Sequence, residues 1–135
     1  MINPYWFAGF TSGEGSFSAE ILKSSSHKKG YQVILKLSIS QHTRDVELLK
    51  CFISFLGGGF VKERTSISEF VVVKLSLTTE ELIPLFQKYP IIGNKNKDFI
   101  DFCKIAESMS NNAHKTPEGL DKIREIKSGM NRSRK

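Results

Sequence analysis

The chain lacks most of the features that would force a specialised reading. Two cysteines in 135 residues are too few for a disulfide scaffold. Cys51 and Cys103 fall in helical patterns among apolar residues and read as reduced core side chains of an intracellular protein. Neither has metal-ligand spacing, and His27, His42 and His114 are too scattered to complete a zinc set. No apolar run approaches the ~20 residues of a membrane span. The N-terminus has neither the basic start nor the apolar stretch of a signal peptide. There is no Ser-His-Asp set, no phosphate-binding glycine loop and no internal repeat. Acids are scarce too. Lys and Arg number 20 against 14 Asp and Glu, for a net charge of +6 and a pI of about 9.4. That balance favours a polyanionic partner, with nucleic acid first.

What is present is an ordinary globular composition, 39% hydrophobic and 25% charged, at the length of one domain. Residues 16–23 alternate, with Phe17, Ala19 and Ile21 on one side and Ser16, Ser18, Glu20 and Leu22 on the other. A polar loop, 24–30, follows and ends in the turn residue Gly30. Residues 31–40 alternate again. Tyr31, Val33, Leu35, Leu37 and Ile39 form the apolar face, and Gln32, Ile34, Lys36, Ser38 and Ser40 the other. Ten residues extend about 33 Å, so the pair makes a long hairpin. Thr43 is placed to cap a helix carrying Val46, Leu49, Phe52, Ile53 and Leu56, which Gly57-Gly58-Gly59 stops.

A second hairpin is expected as strand 60–65, a turn at Ser66-Ile67-Ser68 and strand 69–76. Its polar side holds Phe60, Lys62, Arg64, Glu69, Val71 and Val73. Thr78 and Glu81 fit a capping box for a helix over 79–88. Further helices follow at about 97–111 and 117–129, the last opened by Thr116-Pro117. Residues 127–135 read as a frayed basic tail after a domain spanning 1–126. The order predicts an α+β fold with helices on one face of a four-stranded antiparallel sheet. The other face, with Ser24 at its loop end, mixes donors, acceptors and apolar groups. A solvated sheet face would look similar, but long twisted ribbons with that mixture fit a DNA major groove.

The stretch that organises the rest is Tyr5-Trp6-Phe7-Ala8-Gly9-Phe10-Thr11-Ser12-Gly13-Glu14-Gly15. Asn3 can cap a helix here, and Pro4 suits its first turn. Gly9 and Gly13 stand four apart on one helical face, although each costs roughly 1 kcal/mol relative to alanine. Two such glycines imply close approach of another backbone. Glu14, between two glycines, puts a carboxylate at a helix C-terminus, where the dipole disfavours it and a cation would compensate. The plainer account is an amphipathic helix ended by glycine, with Glu14 solvated.

These residues resemble the motif of the LAGLIDADG homing endonucleases. Phe7 stands for the first leucine, Ala8 and Gly9 match outright, and Glu14-Gly15 fill the closing acid–glycine pair. Ser12 replaces the inner aspartate and Thr11 an aliphatic. The predicted order after the helix is also that family's half-domain, α-ββ-α-ββ-α with a saddle-shaped sheet. The local form of the motif is similar to the second half of single-chain members.

The resemblance implies a metal-dependent, site-specific DNA endonuclease that cuts both strands across the minor groove. Glu14, helped by the backbone carbonyl of Gly13, would bind Mg²⁺ or Mn²⁺, with Ca²⁺ as a non-cleaving substitute. Gln41 resembles the polar residue that orders water near the metal, and Lys95 the lysine after the third helix that faces the site. Gln41 also fits a plain strand-end residue, and Lys95 a plain surface lysine.

One motif per chain implies a partner. The simplest is a second copy packed through Phe7, Gly9, Phe10 and Gly13, acting on a palindromic or near-palindromic site. The resemblance also implies an intron-encoded protein with a mitochondrial setting. The competing readings are a non-cleaving, nucleic-acid-binding maturase and a half-domain that works only within a longer polypeptide.

Overall fold

The computed structural model describes residues 2–23 and 30–131. In chain order these form α1 (Pro4–Glu14), β1 (Gly15–Lys23), β2 (Tyr31–His42), α2 (Val46–Leu56), β3 (Phe60–Lys62), β4 (Ile67–Val72), α3 (75–88), α4 (Lys95–Ser110) and α5 (Pro117–Ser128). The fold is the α+β half-domain expected from the residue pattern. The sheet is antiparallel throughout, in the order β1-β2-β4-β3. No helix among the described residues is long and apolar enough to cross a membrane.

α1 starts where Asn3 Oδ1 accepts the backbone N–H groups of Tyr5 at 2.8 Å and Trp6 at 3.3 Å. It stops at Gly15 for a steric reason. Gly15 is extended, and a Cβ there would lie 2.8 Å from the Thr11 carbonyl oxygen. The chain can therefore turn directly from helix into β1.

Alternation then orients the hairpin. Phe17, Ala19, Val33, Leu35, Leu37 and Ile39 are buried on the helix side. There they meet Phe7 of α1, Phe52 of α2, Phe86 of α3, and Phe99 and Phe102 of α4. Phe7 lies 4.9 Å from Phe52, and Phe17 lies 5.0 Å from Phe102, ring centre to ring centre. Each fully buried phenylalanine contributes about 1.5–3 kcal/mol, so this ring cluster is the main cohesive feature of the fold.

The second hairpin differs from its expected limits. β3 ends at Lys62 rather than 65, and β4 runs from Ile67 to Val72 rather than over 69–76. The cause is Thr43. Its hydroxyl donates to the Arg64 carbonyl at 2.6 Å and meets the Ser68 hydroxyl at 2.8 Å, while its N–H donates to the Ser66 carbonyl at 2.9 Å. These bonds hold 63–66 as a loop and bring Ile67 and Ser68 into register with His42 and Gln41. They also occupy the hydroxyl expected to cap α2. That helix begins after Asp45 with no side-chain cap, and ends at Gly57 in a left-handed conformation.

α3 begins at Leu75, so Thr78 lies inside it rather than at its start. Thr78 opens a wide π turn over 78–82, just before Pro84, which has no N–H to return to that turn. No capping box forms, and the buried Thr78 hydroxyl has no partner among the described residues.

Cys103 is half-buried, but Cys51 is exposed on the outer side of α2, one residue round from the inward-facing Phe52. The tail expectation also changes. α5 runs to Ser128, Met130 is buried, and the Asn131 N–H donates to Asp98 Oδ1 at 3.0 Å. The Asn131 amide donates to the Phe17 carbonyl at 2.6 Å. Residues 127–131 thus belong to the fold, while 132–135 lie outside the described residues.

Candidate functional site

Glu14 is exposed at the last turn of α1, which carries no basic side chain. The β1–β2 register pairs Gly15 with Ile39, so Gln41 stands two residues further along, level with the end of α1. Its Nε2 donates to Glu14 Oε2 at 3.3 Å and to the Ser40 carbonyl at 2.8 Å. Two residues 27 apart in sequence are therefore brought together. A helix also leaves its last carbonyls without intrahelical partners, Gly13 among them. The result is a cluster of oxygen donors at the negative end of a helix dipole, which attracts a cation.

Lys95 is the first residue of α4 and is half-buried. The loop leading to it docks on α1, where the Ile92 N–H donates to Ser12 Oγ at 3.0 Å. Lys95 thus enters the fold close to the motif helix.

The glycine face is open. A Cβ on Gly9 or Gly13 would meet nothing within 4 Å among the described residues. Phe10 stacks on Trp6 at 5.0 Å along the same stripe. Phe7 does not belong there. It is wholly buried between Phe52 and Phe86, on the opposite side of α1, and is a core residue rather than an interface one. Exposed Trp6 and Tyr5 replace it on the outer surface. Helical spacing from Gly9 and Gly13 was enough to point to Trp6.

The sheet face opposite the helices has the expected parity. Ser16 pairs with Ser38, Ser18 with Lys36, Glu20 with Ile34 and Leu22 with Gln32. Ser38 then meets Val71, and Ser40 meets Glu69, which in turn face Phe60 and Lys62. Val71 is a correction. It is only 1% exposed, flanked by Ser38 and Phe60, and cannot reach a bound molecule. Arg64 lies in the 63–66 loop and Val73 beyond β4, both exposed but outside the ladder. Ser24 lies outside the described residues. Lys62 Nζ lies 5.9 Å from the Phe60 ring centre. Thr43, expected as a helix cap, and Ser68, expected in the turn, hold the Arg64 loop instead. A hydroxyl at a strand end is common to many residues and does not signal that role.

Residues 7–106 match the family model of the LAGLIDADG endonucleases. The chain belongs to that family. Among its curated relatives, a probable intron-encoded endonuclease of Neurospora crassa is 37% identical over 91% of this chain. The chain spans only 23% of that relative's length. Among solved LAGLIDADG structures, I-SmaMI bound to its uncleaved DNA target in the presence of calcium ions superposes with a TM-score of 0.93 at 46% identity. That match covers 97% of this chain and 45% of I-SmaMI. The homing endonuclease I-TnaI superposes with a TM-score of 0.91 at 36% identity, covering 98% of this chain and 90% of its own. One LAGLIDADG neighbour is thus about twice this length, and another is of similar length.

Proposed function

We propose that this chain is a site-specific double-strand DNA endonuclease that acts as a symmetric homodimer on a palindromic or near-palindromic site. The observation that carries the reading is the Glu14–Gln41 pair, exposed at the end of a helix whose glycine stripe is bare. Trp6, Gly9, Phe10 and Gly13 form a self-complementary surface, and an isologous dimer would bring two Glu14 carboxylates together at one end of paired helices. The two uncovered sheet faces would then continue into one saddle over the duplex.

The donor set fits Mg²⁺ or Mn²⁺. Among the described residues no three His, Cys, Asp or Glu side chains gather into a closed cage. Glu14 with the Gly13 carbonyl instead offers the few hard oxygen ligands that Mg²⁺ takes from proteins, its other positions going to water and phosphate. The ion, when bound, supplies an activated water and neutralises charge on the scissile phosphate. The protein's own side chains do the rest. Gln41 holds the Glu14 carboxylate in orientation with one amide hydrogen and is itself held by the Ser40 carbonyl through the other, so its amide oxygen is the group that can accept from a water. Lys95 supplies positive charge toward the cleaved phosphate. Exposed Gln32, Arg64 and Lys62, with half-buried Lys36, contact bases and phosphates.

Glu14→Gln should abolish cleavage of supercoiled target DNA and leave binding largely intact. Nicking by that variant with Mg²⁺ present would sink the assignment. Light scattering tests the dimer, with Gly13→Leu expected to separate the subunits while each chain stays folded, since a side chain there meets nothing within the described residues. A micromolar monomer that still cuts both strands refutes the two-fold arrangement. The second reading, a half that works inside a longer chain or binds without cutting, is favoured by the length ratio to I-SmaMI and the Neurospora protein. A monomer that neither dimerises nor cuts would establish it.

A further inference from the structure

One peptide group in the loop before α4 is held at both of its polar ends. Its N–H, from Ile92, donates to Ser12 Oγ at 3.0 Å, and its carbonyl, from Ile91, accepts from Asn96 Nδ2 at 2.9 Å. Ser12 is itself locked, because its hydroxyl donates to the Ala8 carbonyl at 2.7 Å and so leaves its lone pairs toward the loop. A continuous hydrogen-bonded path therefore runs from α1, through one peptide plane, to the first turn of α4.

The two ends of that path are chemically placed. Ser12 is two residues before Glu14, and Asn96 directly follows Lys95. Side-chain packing does not explain the path. Ile91 is buried and anchors the loop, but Ile92 is 67% exposed, and beyond it Gly93 turns at a φ of +80° with its carbonyl accepting the Asn96 N–H at 3.1 Å. Packing of Ile91 sets where the loop sits, and the two hydrogen bonds set the rotation of its peptide. A serine bonding back to its own helix is common and needs no further purpose. What sets Ser12 apart is the second bond, across 80 residues, to the peptide that Asn96 also holds.

We infer that Ser12 and Asn96 are positioning residues of the cleavage centre, fixing Lys95 relative to Glu14 through the Ile91–Ile92 peptide. The inference rests on the endonuclease reading and on Lys95 acting in it. Ser12→Ala and Asn96→Ala should each slow single-turnover cleavage about 10- to 100-fold, the cost of a reacting group held slightly out of place. Target affinity should not change, and Ser12→Thr, which keeps the hydroxyl, should restore the rate.

Two readouts separate this from a general structural role. In a Lys95→Ala background, Ser12→Ala should cost nothing further, because its effect is transmitted through Lys95. Independently of activity, amide hydrogen exchange at Ile92 should accelerate in Ser12→Ala while the ring-cluster amides of β2 stay protected. Equal rate losses with and without Lys95, or unchanged exchange at Ile92, overturn the inference and leave the endonuclease reading standing. A Lys95→Ala variant that cuts at the wild-type rate overturns it as well. A wild-type chain that cuts no DNA overturns the endonuclease reading and the positioning role with it.

Discussion

Leu37 and Lys36 are neighbours in β2 with opposite fates, and exchanging each for alanine tests the DNA-facing surface directly. Leu37 is wholly buried, opposite Phe17 of β1 and Val72 of β4. Cutting it to alanine removes apolar contacts and leaves a cavity that a sheet strand fixed on both edges cannot close. The cost should be about 3–5 kcal/mol. At roughly 3–5 °C per kcal/mol for a domain of this size, the melting temperature should fall by about 9–25 °C. Lys36 stands on the other face, opposite Ser18. Its truncation should move stability by no more than about 0.5 kcal/mol. It should instead weaken DNA binding and flatten the salt dependence by about one unit of logarithmic slope per lysine, hence about two in a homodimer. The assay pairs thermal melting by circular dichroism with fluorescence anisotropy on a target selected from a random palindromic library, at several salt concentrations. If Lys36→Ala melts the protein while Leu37→Ala only weakens binding, the strand faces have been assigned the wrong way round.

Other perturbations reach parts of the fold that this pair does not. Thr11 is completely buried on the inner side of α1, with no partner for its hydroxyl among the described residues, so the isosteric Thr11→Val should raise stability by about 1 kcal/mol in urea titration. A destabilised variant would mean that the hydroxyl has a role in the folded chain. Asn131→Ala removes the side-chain amide bond to the Phe17 carbonyl of β1, keeps the backbone N–H bond to Asp98, and should cost about 1–3 kcal/mol. A loss near zero would return residues 127–131 to a loose tail. The two thiols should separate in a disulfide-exchange assay, since the thiolate is the attacking species. Burial pushes the Cys103 thiol up to about 11, so at pH 8 it should react slowly while exposed Cys51 reacts fast. Because that folded value is raised, the unfolded chain loses the proton first as pH climbs past about 9. Cys103 therefore makes the fold less stable above that pH, and Cys103→Ser should lessen the decline. Equal reaction rates at pH 8 would contradict the burial of Cys103.

The errors of the sequence reading share a physical origin. Strand parity was legible because a period of two leaves no choice once one face is apolar, and β1 and β2 follow it residue for residue. The start of α1 was legible because Asn3 and Pro4 act on atoms within three residues of themselves. Phe7 was misplaced although helical geometry could have excluded it. At about 100° per residue it lies some 200° from Gly9, and the motif had been read as a string of residues rather than as a wheel. β3 begins at 60 and α3 ends at 88 as the pattern places them, but the end of β3 and the span of β4 were not legible. Those limits depend on where single hydroxyls find partners. Thr43 satisfies Arg64 and Ser68 instead of capping α2, and no local pattern shows that choice.

The candidate site divides along the same line. Glu14 and Gln41 were singled out by their resemblance to family positions, and the β1–β2 register is what brings them into contact. The shared grip of Ser12 and Asn96 on the Ile91–Ile92 peptide beside Lys95 could not be read in this way, because the two side chains come from different helices and lie 84 residues apart. Catalytic groups gather at such junctions because elements meeting there come from distant parts of the chain, and only their meeting converges several polar groups on one point. Hydroxyl and amide side chains that join elements at long range are therefore the residues least visible in a sequence and the most productive to mutate next to a candidate active site.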